Sequence, residues 1–292
     1  MSDDATTAAA KPRIGFIGQG FIGKHMADDY EARGYETVRY SLEEPYIHNE
    51  AALQDCSIVF VAVPTPTTPQ GFDSSIVRSA LGSVPAGAVA VIKSTIVPGT
   101  TAALQQSYPD ITVMHSPEFL REKTAAEDTA HPERNIIGIT DDSPELRAKA
   151  EQILETLPDA PYSHITLSVN AECVKYIGNT YLYAKLLFMN LAYDYTLAAG
   201  ADWDTVRTAV SQDSRIGASH TQPVNDGGRG AGGHCFIKDF ETFLETFTAF
   251  DADEQSVAVL KAMRAKNNQL LTDSEKDMDL LRGVYGDNIP IR

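Results

Sequence analysis

Seven short runs rich in Val and Ile alternate with helical stretches over the first 167 residues. The runs fall at residues 13–17, 36–40, 57–63, 88–93, 111–115, 134–139 and 164–167. Several are apolar throughout, the pattern of strands covered on both faces. Helical stretches include 23–33, 74–81 and 143–156. This alternation predicts an α/β fold: a Rossmann-like, doubly wound parallel sheet over residues 11–167.

Beyond residue 168 the character changes. One helical pattern runs from 170 to 199 and stops at Gly200. About thirty residues at 1.5 Å each give a rod of roughly 45 Å. Its apolar residues, among them Val174, Ile177, Leu182, Phe188 and Leu191, cover more than one face. Such a helix spans a core or a dimer interface. Further helices are expected at 204–210, 236–247 and 253–271, with 215–233 a Gly-rich loop. The reading is a mostly helical domain over 168–271, built on the long helix, and a loosely held tail at 272–292.

The chain has 24 Lys+Arg against 40 Asp+Glu, a net charge of −16. That balance argues against a nucleic-acid backbone or an anionic membrane as partner. With 43% hydrophobic and 22% charged residues the chain can bury an ordinary core. Cys56, Cys173 and Cys235 are far apart and form no CxxC pair, so neither a disulfide framework nor a zinc ribbon is expected. The seven histidines show no HxH or HExxH spacing, so no metal is expected; His115 and His234 read as structural histidines. Residues 1–10 lack the basic and apolar regions of a signal peptide. The apolar stretch 181–201 is interrupted by Lys185, Asn190 and Asp194 and reads as a buried helix rather than a membrane span. A soluble cytoplasmic protein is the expectation.

Gly18-Gln19-Gly20-Phe21-Ile22-Gly23 follows the first strand run and opens the first helix. In that setting Gly18, Gly20 and Gly23 permit a tight turn, close approach of a pyrophosphate and close helix–strand packing, and the helix N-terminus favours the anion. A dinucleotide site is expected; a purely structural glycine turn is the alternative. An acidic residue about 20 positions on should hold the adenosine ribose. Ser41 stands there, with Arg39 nearby. Either ribose recognition is altered and tolerates a 2′-phosphate, or other contacts hold the cofactor. NAD and NADP both stay open.

Cys235 lies in Gly230-Ala231-Gly232-Gly233-His234-Cys235-Phe236-Ile237-Lys238-Asp239. A thiol just before a helix gains nucleophilic character from the positive end of the helix dipole. Lys238 and Asp239 return to the same side one turn later. A buried, inert thiol is the alternative, and it is the expected state of Cys56 and Cys173. On the long helix, Lys175 and Asn179 are four residues apart and share a face. Glu172 precedes Lys175 by three, so for the isolated helix a surface ion pair is the favoured reading. Ser116-Pro117-Glu118-Phe119-Leu120-Arg121-Glu122 follows a strand at its carboxyl end, where open α/β sheets place ligands. The turns Val63-Pro64-Thr65-Pro66-Thr67 and Lys93-Ser94-Thr95 end two other strands at the same edge. Singly each is a Pro-bearing loop or a charge cluster; together they suggest a site.

Taken in order, GQGFIG, VPTPT, KSTIVPGT, SPEFLRE, AECVKYIGNTYLYAKLLFMN, SRIG and GAGGHCFIKD resemble the UDP-glucose/GDP-mannose dehydrogenase family, from Arg13 to about Leu271. The resemblance implies NAD-dependent oxidation of the C6 alcohol of a nucleotide sugar to the carboxylate, as in polysaccharide biosynthesis, with two cofactors used in succession. It implies Cys235 as nucleophile through a thiohemiacetal and a thioester. Lys175 and Asn179 would stabilise oxyanion charge and Asp239 would assist proton transfer. Thr95 with Glu118 would handle the hydrolytic water. Gly18, Gly20, Phe21, Ile22, Gly23 and Ser41 would hold the cofactor, with Val63, Pro64, Thr65, Thr67, Ser94 and Glu122 lining its site. Glu118, Phe119, Leu120, Arg121, Lys175 and Asn179, with Arg215, Gly232 and Gly233, would hold the sugar nucleotide.

The implied form is compact, a homodimer through the long helix without the family's C-terminal nucleotide-sugar-binding domain. The stretch between Ser41 and Ser57 is shorter than the family's, and Ile237 stands where Pro is usual. Two other readings stand beside this one. A two-electron hydroxyacid-type dehydrogenase would need a Lys on the long helix but no reactive Cys. A non-catalytic nucleotide-binding protein would keep only the fold.

Overall fold

β1 (Ile14–Ile17) is buried at all four positions, so it must be covered on both faces. Residues 11–291 are described by the computed structural model, in which β1 lies inside a seven-stranded sheet. The signal-peptide reading of residues 1–10 lies outside the described residues. β2 (Thr37–Tyr40) flanks β1 on one side and β3 (Ile58–Val61) on the other, both parallel. A short antiparallel hairpin follows, β4 (Thr67–Thr68) with β5 (Gly71–Phe72). The sheet then continues through β6 (Val89–Ile92), β7 (Thr112–His115), β8 (Arg134–Ile139) and β9 (Tyr162–Leu167), in the order β2-β1-β3-β6-β7-β8-β9. All seven expected strands are present, most of them trimmed by a residue or two at the ends.

The sheet is not wholly parallel. β8 meets β7 in the antiparallel sense at a single pairing, His115 with Gly138, while β8 and β9 are parallel to each other. Residues 116–133, which join β7 to β8, form a one-turn 3-10 segment and the six residues of α4.

The helices are α1 (Phe21–Ala32), α2 (Ser75–Leu81), α3 (Thr100–Ser107), α4 (Ala125–Ala130), α5 (Pro144–Thr156) and α6 (Ser168–Ala198), then α7 (Trp203–Ser211), α8 (Gly233–Ala249), α9 (Glu254–Asp273) and α10 (Met278–Tyr285). Ser143 caps α5 through the Leu146 amide, with Pro144 at its first turn. Met26, Ala27 and Tyr30 of α1 and Ala150 and Ile153 of α5 share one buried cluster with Phe16, Phe60 and Val91. Since β1 and β3 are buried end to end while the chain crosses from one to the other around β2, the sheet's switch point falls at their carboxyl ends. That is where such sheets take ligands.

The chain divides into two compact units. Unit 1 holds the described residues up to Thr65 together with Ser74–Lys175; unit 2 holds Pro66–Asp73 and the residues from Tyr176 onward. The division falls inside α6, eight residues later than the 167/168 boundary expected from sequence, and the β4–β5 hairpin belongs to unit 2. In unit 2, Tyr183, Leu186 and Leu187 of α6 pack with Phe240 of α8 and Leu270 of α9. Tyr183 and Phe240 stack with ring centroids 3.9 Å apart.

Three local expectations are corrected in unit 2. The residues after 271 are not a loose tail: α10 buries Leu281 and Val284 against Ile237 and Leu271. The apolar positions 278, 281, 284 and 285 recur at helical spacing, a signal diluted by the polar residues around them. The 215–233 loop contains a hairpin, β10 (Val224–Asn225) with β11 (Gly228–Arg229). α8 begins at Gly233 rather than 236, because the Asp277 carboxylate accepts the Gly233 amide (2.7 Å) and so caps a helix start that glycine alone would not favour.

Candidate active site

The turn after β1 uses each glycine differently. Gly18 has φ +92°, and a Cβ there would lie 2.2 Å from the Ala62 carbonyl oxygen. A Cβ at Gly23 would lie 1.9 Å from the Gly18 carbonyl oxygen, so α1 can sit against the turn only without one. A Cβ at Gly20 would meet no protein atom within 4 Å. The fold therefore requires Gly18 and Gly23, while open space lies beside Gly20. No side chain caps α1 and its first turn holds no acid, so its amides are open to an anion. Phe21 is exposed at this turn while Ile22 packs against the core. These features fit a dinucleotide pyrophosphate.

Arg39 does not supply a cation for a 2′-phosphate. Its guanidinium is paired with Asp28 and Glu31 of α1, at 2.7 Å to each. The Ser41 hydroxyl closes a turn on the Glu43 backbone. Of the two readings of this strand end, tolerance of a phosphorylated ribose loses its charged partner.

The ends of β3, β6 and β7 are tied together. Ser94 donates to the Val63 carbonyl (2.7 Å) and accepts from the Val63 amide (2.9 Å). That leaves Pro64 exposed and Thr65 buried, with Thr95 half-buried next to Ser94. Lys93, 6% exposed, reaches the Glu118 carboxylate at 3.0 Å and the Ser116 hydroxyl at 3.1 Å. The other Glu118 oxygen accepts the Phe119 amide (2.7 Å), and Lys175 donates to the Glu118 carbonyl (2.7 Å). Unit 1 thus brings Glu118, Lys175 and Phe119 together, with Lys93 beneath them.

The expected Glu172–Lys175 surface pair is absent. Glu172 is fully buried and accepts from the Gly99 amide, the Thr101 amide and the Thr101 hydroxyl at 2.6–2.8 Å. Helical spacing alone could not reveal this, because the partners come from another element. Burial pushes the Glu172 carboxyl up, and its three donors oppose that shift.

The rest of the SPEFLRE segment is more exposed. Arg121 is held by Asp128, which pulls the Asp128 carboxyl down to about 2. Leu120 is half-buried, and Glu122 stands exposed in the 3-10 segment that follows. His115 is fully buried, its Nδ1 at 3.0 Å from the Ile92 carbonyl. Burial and the neighbouring Lys93 push its ring down to about 3, so the imidazole is neutral, in line with a structural role.

In unit 2, Cys235 is exposed on the first turn of α8. Asp239, one turn on and 1% exposed, accepts from Asn179 of α6 (2.6 Å) and pairs with Lys238 (2.5 Å). An exposed thiol, a buried carboxylate and its Lys238 partner therefore share the start of α8, and Asn179 reaches the same carboxylate from α6. Gly232 and Gly233 are engaged by the capping Asp277: a Cβ on Gly232 would fall 1.9 Å from its carboxylate. Arg215 is exposed and pairs with Asp213. Thr67 stands apart from the other strand-end residues, in β4, with its buried hydroxyl bonded to Thr242 (2.6 Å).

Sequence reasoning passed over Lys93, Glu172 and Asp277 as site-building residues. Lys93 was visible as the first residue of KSTIVPGT; Asp277 carried no signal, standing in a stretch read as tail. Among the described residues no group of His, Cys, Asp or Glu could hold a metal ion, and no helix is long and apolar enough to cross a membrane.

Comparison with known proteins adds to this geometry. The profile of the UDP-glucose/GDP-mannose dehydrogenase family NAD-binding domain matches residues 30–157, and that of the family's central domain matches 169–269. A UDP-glucose 6-dehydrogenase of Rickettsia conorii is 30% identical over 287 residues, covering 92% of this chain and 64% of the relative. The structure of a UDP-glucose dehydrogenase from the archaeon Pyrobaculum islandicum superposes with a TM-score of 0.77 at 26% identity, over 91% of this chain and 72% of that one. A Mycobacterium tuberculosis 3-hydroxyisobutyrate dehydrogenase shares the fold, with a TM-score of 0.68 at 16% identity, over 90% of this chain and 94% of that one. The chain spans 53–64% of the length of the curated relatives it matches first. Two profiles in their proper order, over well beyond half of the residues, place this chain in the UDP-glucose/GDP-mannose dehydrogenase family, with that family's NAD-binding and central domains.

Proposed function

We propose that the chain oxidises the C6 primary alcohol of a nucleotide sugar, UDP-glucose or a close analogue, to the carboxylate. The observation that carries this reading is the exposed Cys235 on the first turn of α8, one turn from a buried Asp239 held by Asn179 and Lys238. A two-electron dehydrogenase has no use for such a thiol. NAD supplies the acceptor for two hydrides in succession. The chain's own residues do the rest.

The alcohol first becomes an aldehyde, its hydride passing to the acceptor and its hydroxyl proton to water. Cys235 Sγ adds to the aldehyde carbon, forming a C–S bond and leaving negative charge on oxygen. Lys175 and Asn179, one turn apart on α6, offer donors to that charge. Loss of the second hydride leaves a thioester on Cys235. Glu118 accepts a proton from the hydrolytic water, with Thr95 as its hydroxyl partner, and the C–S bond breaks to give carboxylate and free thiol. Asp239 takes up and returns the thiol proton. Gly18, Gly20 and Gly23 seat the cofactor pyrophosphate.

The test is cofactor reduction at 340 nm by the purified chain with UDP-, GDP- and TDP-sugars, with NAD and NADP in separate arms. The expected result is two NADH per sugar, with NAD strongly preferred. One NADH per substrate would favour a two-electron dehydrogenase, and no binding of either cofactor would favour a non-catalytic protein.

The homodimer is argued from α6. Ile177, Tyr181, Phe188, Leu191 and Tyr195 are 45–78% exposed, and with Ala184 they recur every four and three residues in turn. That alternation is a coiled-coil-type seam, which buries its apolar stripe against a like helix. A contiguous exposed apolar stripe of this kind marks an interaction surface. Phe188→Asp places a charge in the seam. In light scattering the wild type should have twice the 31.7 kDa chain mass and the variant that mass once. A monomeric wild type would remove this part of the proposal.

A further inference from the structure

The proposed hydrolysis uses Glu118, and the structure adds a residue behind it. We propose that Lys93 is a positioning residue for Glu118: a buried ammonium that holds this carboxylate aimed for the hydrolytic step. The proposal rests on the role given to Glu118 above.

Lys93 is the residue just after β6, and nothing in its own segment requires a charge. A buried lysine without a partner is costly, because its ammonium loses water on every side. Here the ammonium is satisfied by the turn that follows β7. It bonds Glu118 Oε2 at 3.0 Å, Ser116 Oγ at 3.1 Å and the Pro117 carbonyl at 3.5 Å. The pair is well shielded, at 7% and 15% side-chain exposure, so the interaction is screened far less than a surface pair. The second carboxylate oxygen is fixed by the Phe119 amide, and the residue's carbonyl by Lys175. Glu118 is therefore held at three points.

Among the described residues, the charged or titratable groups that face this turn from the packed elements include Lys93 after β6, His115 at the end of β7, Lys175 on α6, and Arg134 at the start of β8, which lies 3.8 Å from the Phe119 ring centroid. His115 is neutral, Arg134 covers the ring, and Lys175 bonds the main chain. Lys93 is the one bonded to the carboxylate itself. A buried charge-assisted bond to one carboxylate oxygen fixes the direction in which the group presents its lone pairs.

The test uses the full chain as wild type, Lys93→Gln and Lys93→Arg. Gln keeps a donor for Ser116 and Glu118 but removes the charge; Arg keeps the charge. The Phe119 amide donates to Glu118 Oε1, so its NMR resonance reports the seating of that carboxylate whether or not the chain turns over. The resonance should move in Lys93→Gln and stay near the wild type in Lys93→Arg. With UDP-glucose and NAD, kcat should fall by about tenfold or more in Lys93→Gln, while KM for UDP-glucose stays within about twofold. An unmoved resonance, or a moved resonance with unchanged kcat in an active wild type, overturns the assignment. A wild type that reduces no NAD with UDP-glucose defeats the dehydrogenase reading alone, and the Phe119 resonance still decides for or against Lys93.

Discussion

Replacing Cys235 by serine should reduce sugar-acid formation by a factor on the order of 10³ or more. The serine hydroxyl is a much weaker acid and a weaker nucleophile than the thiol, and an ester built on it is a worse acyl donor than a thioester. The loss should therefore fall on the second oxidation and the hydrolysis, leaving KM for the sugar nucleotide little changed. The thiols make a second readout possible. Burial pushes the Cys56 thiol up to about 11, and Cys173 is half-buried with its thiol also raised by burial. Cys235 is exposed. One equivalent of iodoacetamide should therefore label Cys235 selectively, abolish acid formation in the wild type, and leave the Ser variant unlabelled. Full acid formation by Cys235→Ser would remove the covalent route and leave a dehydrogenase of simpler chemistry.

The sheet was legible in the sequence because its strands are short, apolar and separated by helices of ordinary period. β1 and β3, buried at every position, write their environment directly into composition. The sense of β8 was not legible, since strand direction depends on whether the connection crosses the sheet, and residues 116–133 give no periodic signal that decides it. The glycine turn was legible in its packing roles: Gly18 and Gly23 answer contacts within the fold, and Gly20 does not.

The placement of candidate residues was legible where they lie close in sequence, as with Cys235 and Asp239, one turn apart on α8. It was illegible where partners come from distant segments. Nothing in the spacing of Glu172 and Lys175 announces that one turns inward to Gly99 and Thr101 while the other turns to the Glu118 carbonyl. Asp277, which caps α8 from 44 positions away, is the same case in a segment whose composition read as tail.

Glu172→Ala should lower the stability of unit 1 by about 3 kcal/mol or more, since each buried group left unpaired costs roughly 1–3 kcal/mol. The helix it serves has no cap of its own. α3 starts after Gly99, which sits at φ +93°, and no neighbouring side chain accepts from its first amides. Glu172 supplies that acceptor from α6, taking the Gly99 and Thr101 amides and the Thr101 hydroxyl at once. Alanine leaves all three donors without their partner, and Thr101 is fully buried, so water cannot replace it there. For a unit of this size, 3 kcal/mol corresponds to a fall in Tm of roughly 6–12 °C, measurable by calorimetry. Glu172→Gln should fall between, because an amide has one acceptor oxygen where the carboxylate has two, and turns its NH2 toward a donor. The contrast separates this role from an exposed i,i+3 pair with Lys175, whose loss would cost about 0.3–0.5 kcal/mol and leave Tm almost unmoved. If both variants melt with the wild type, the carboxylate does not fasten the start of α6 to α3.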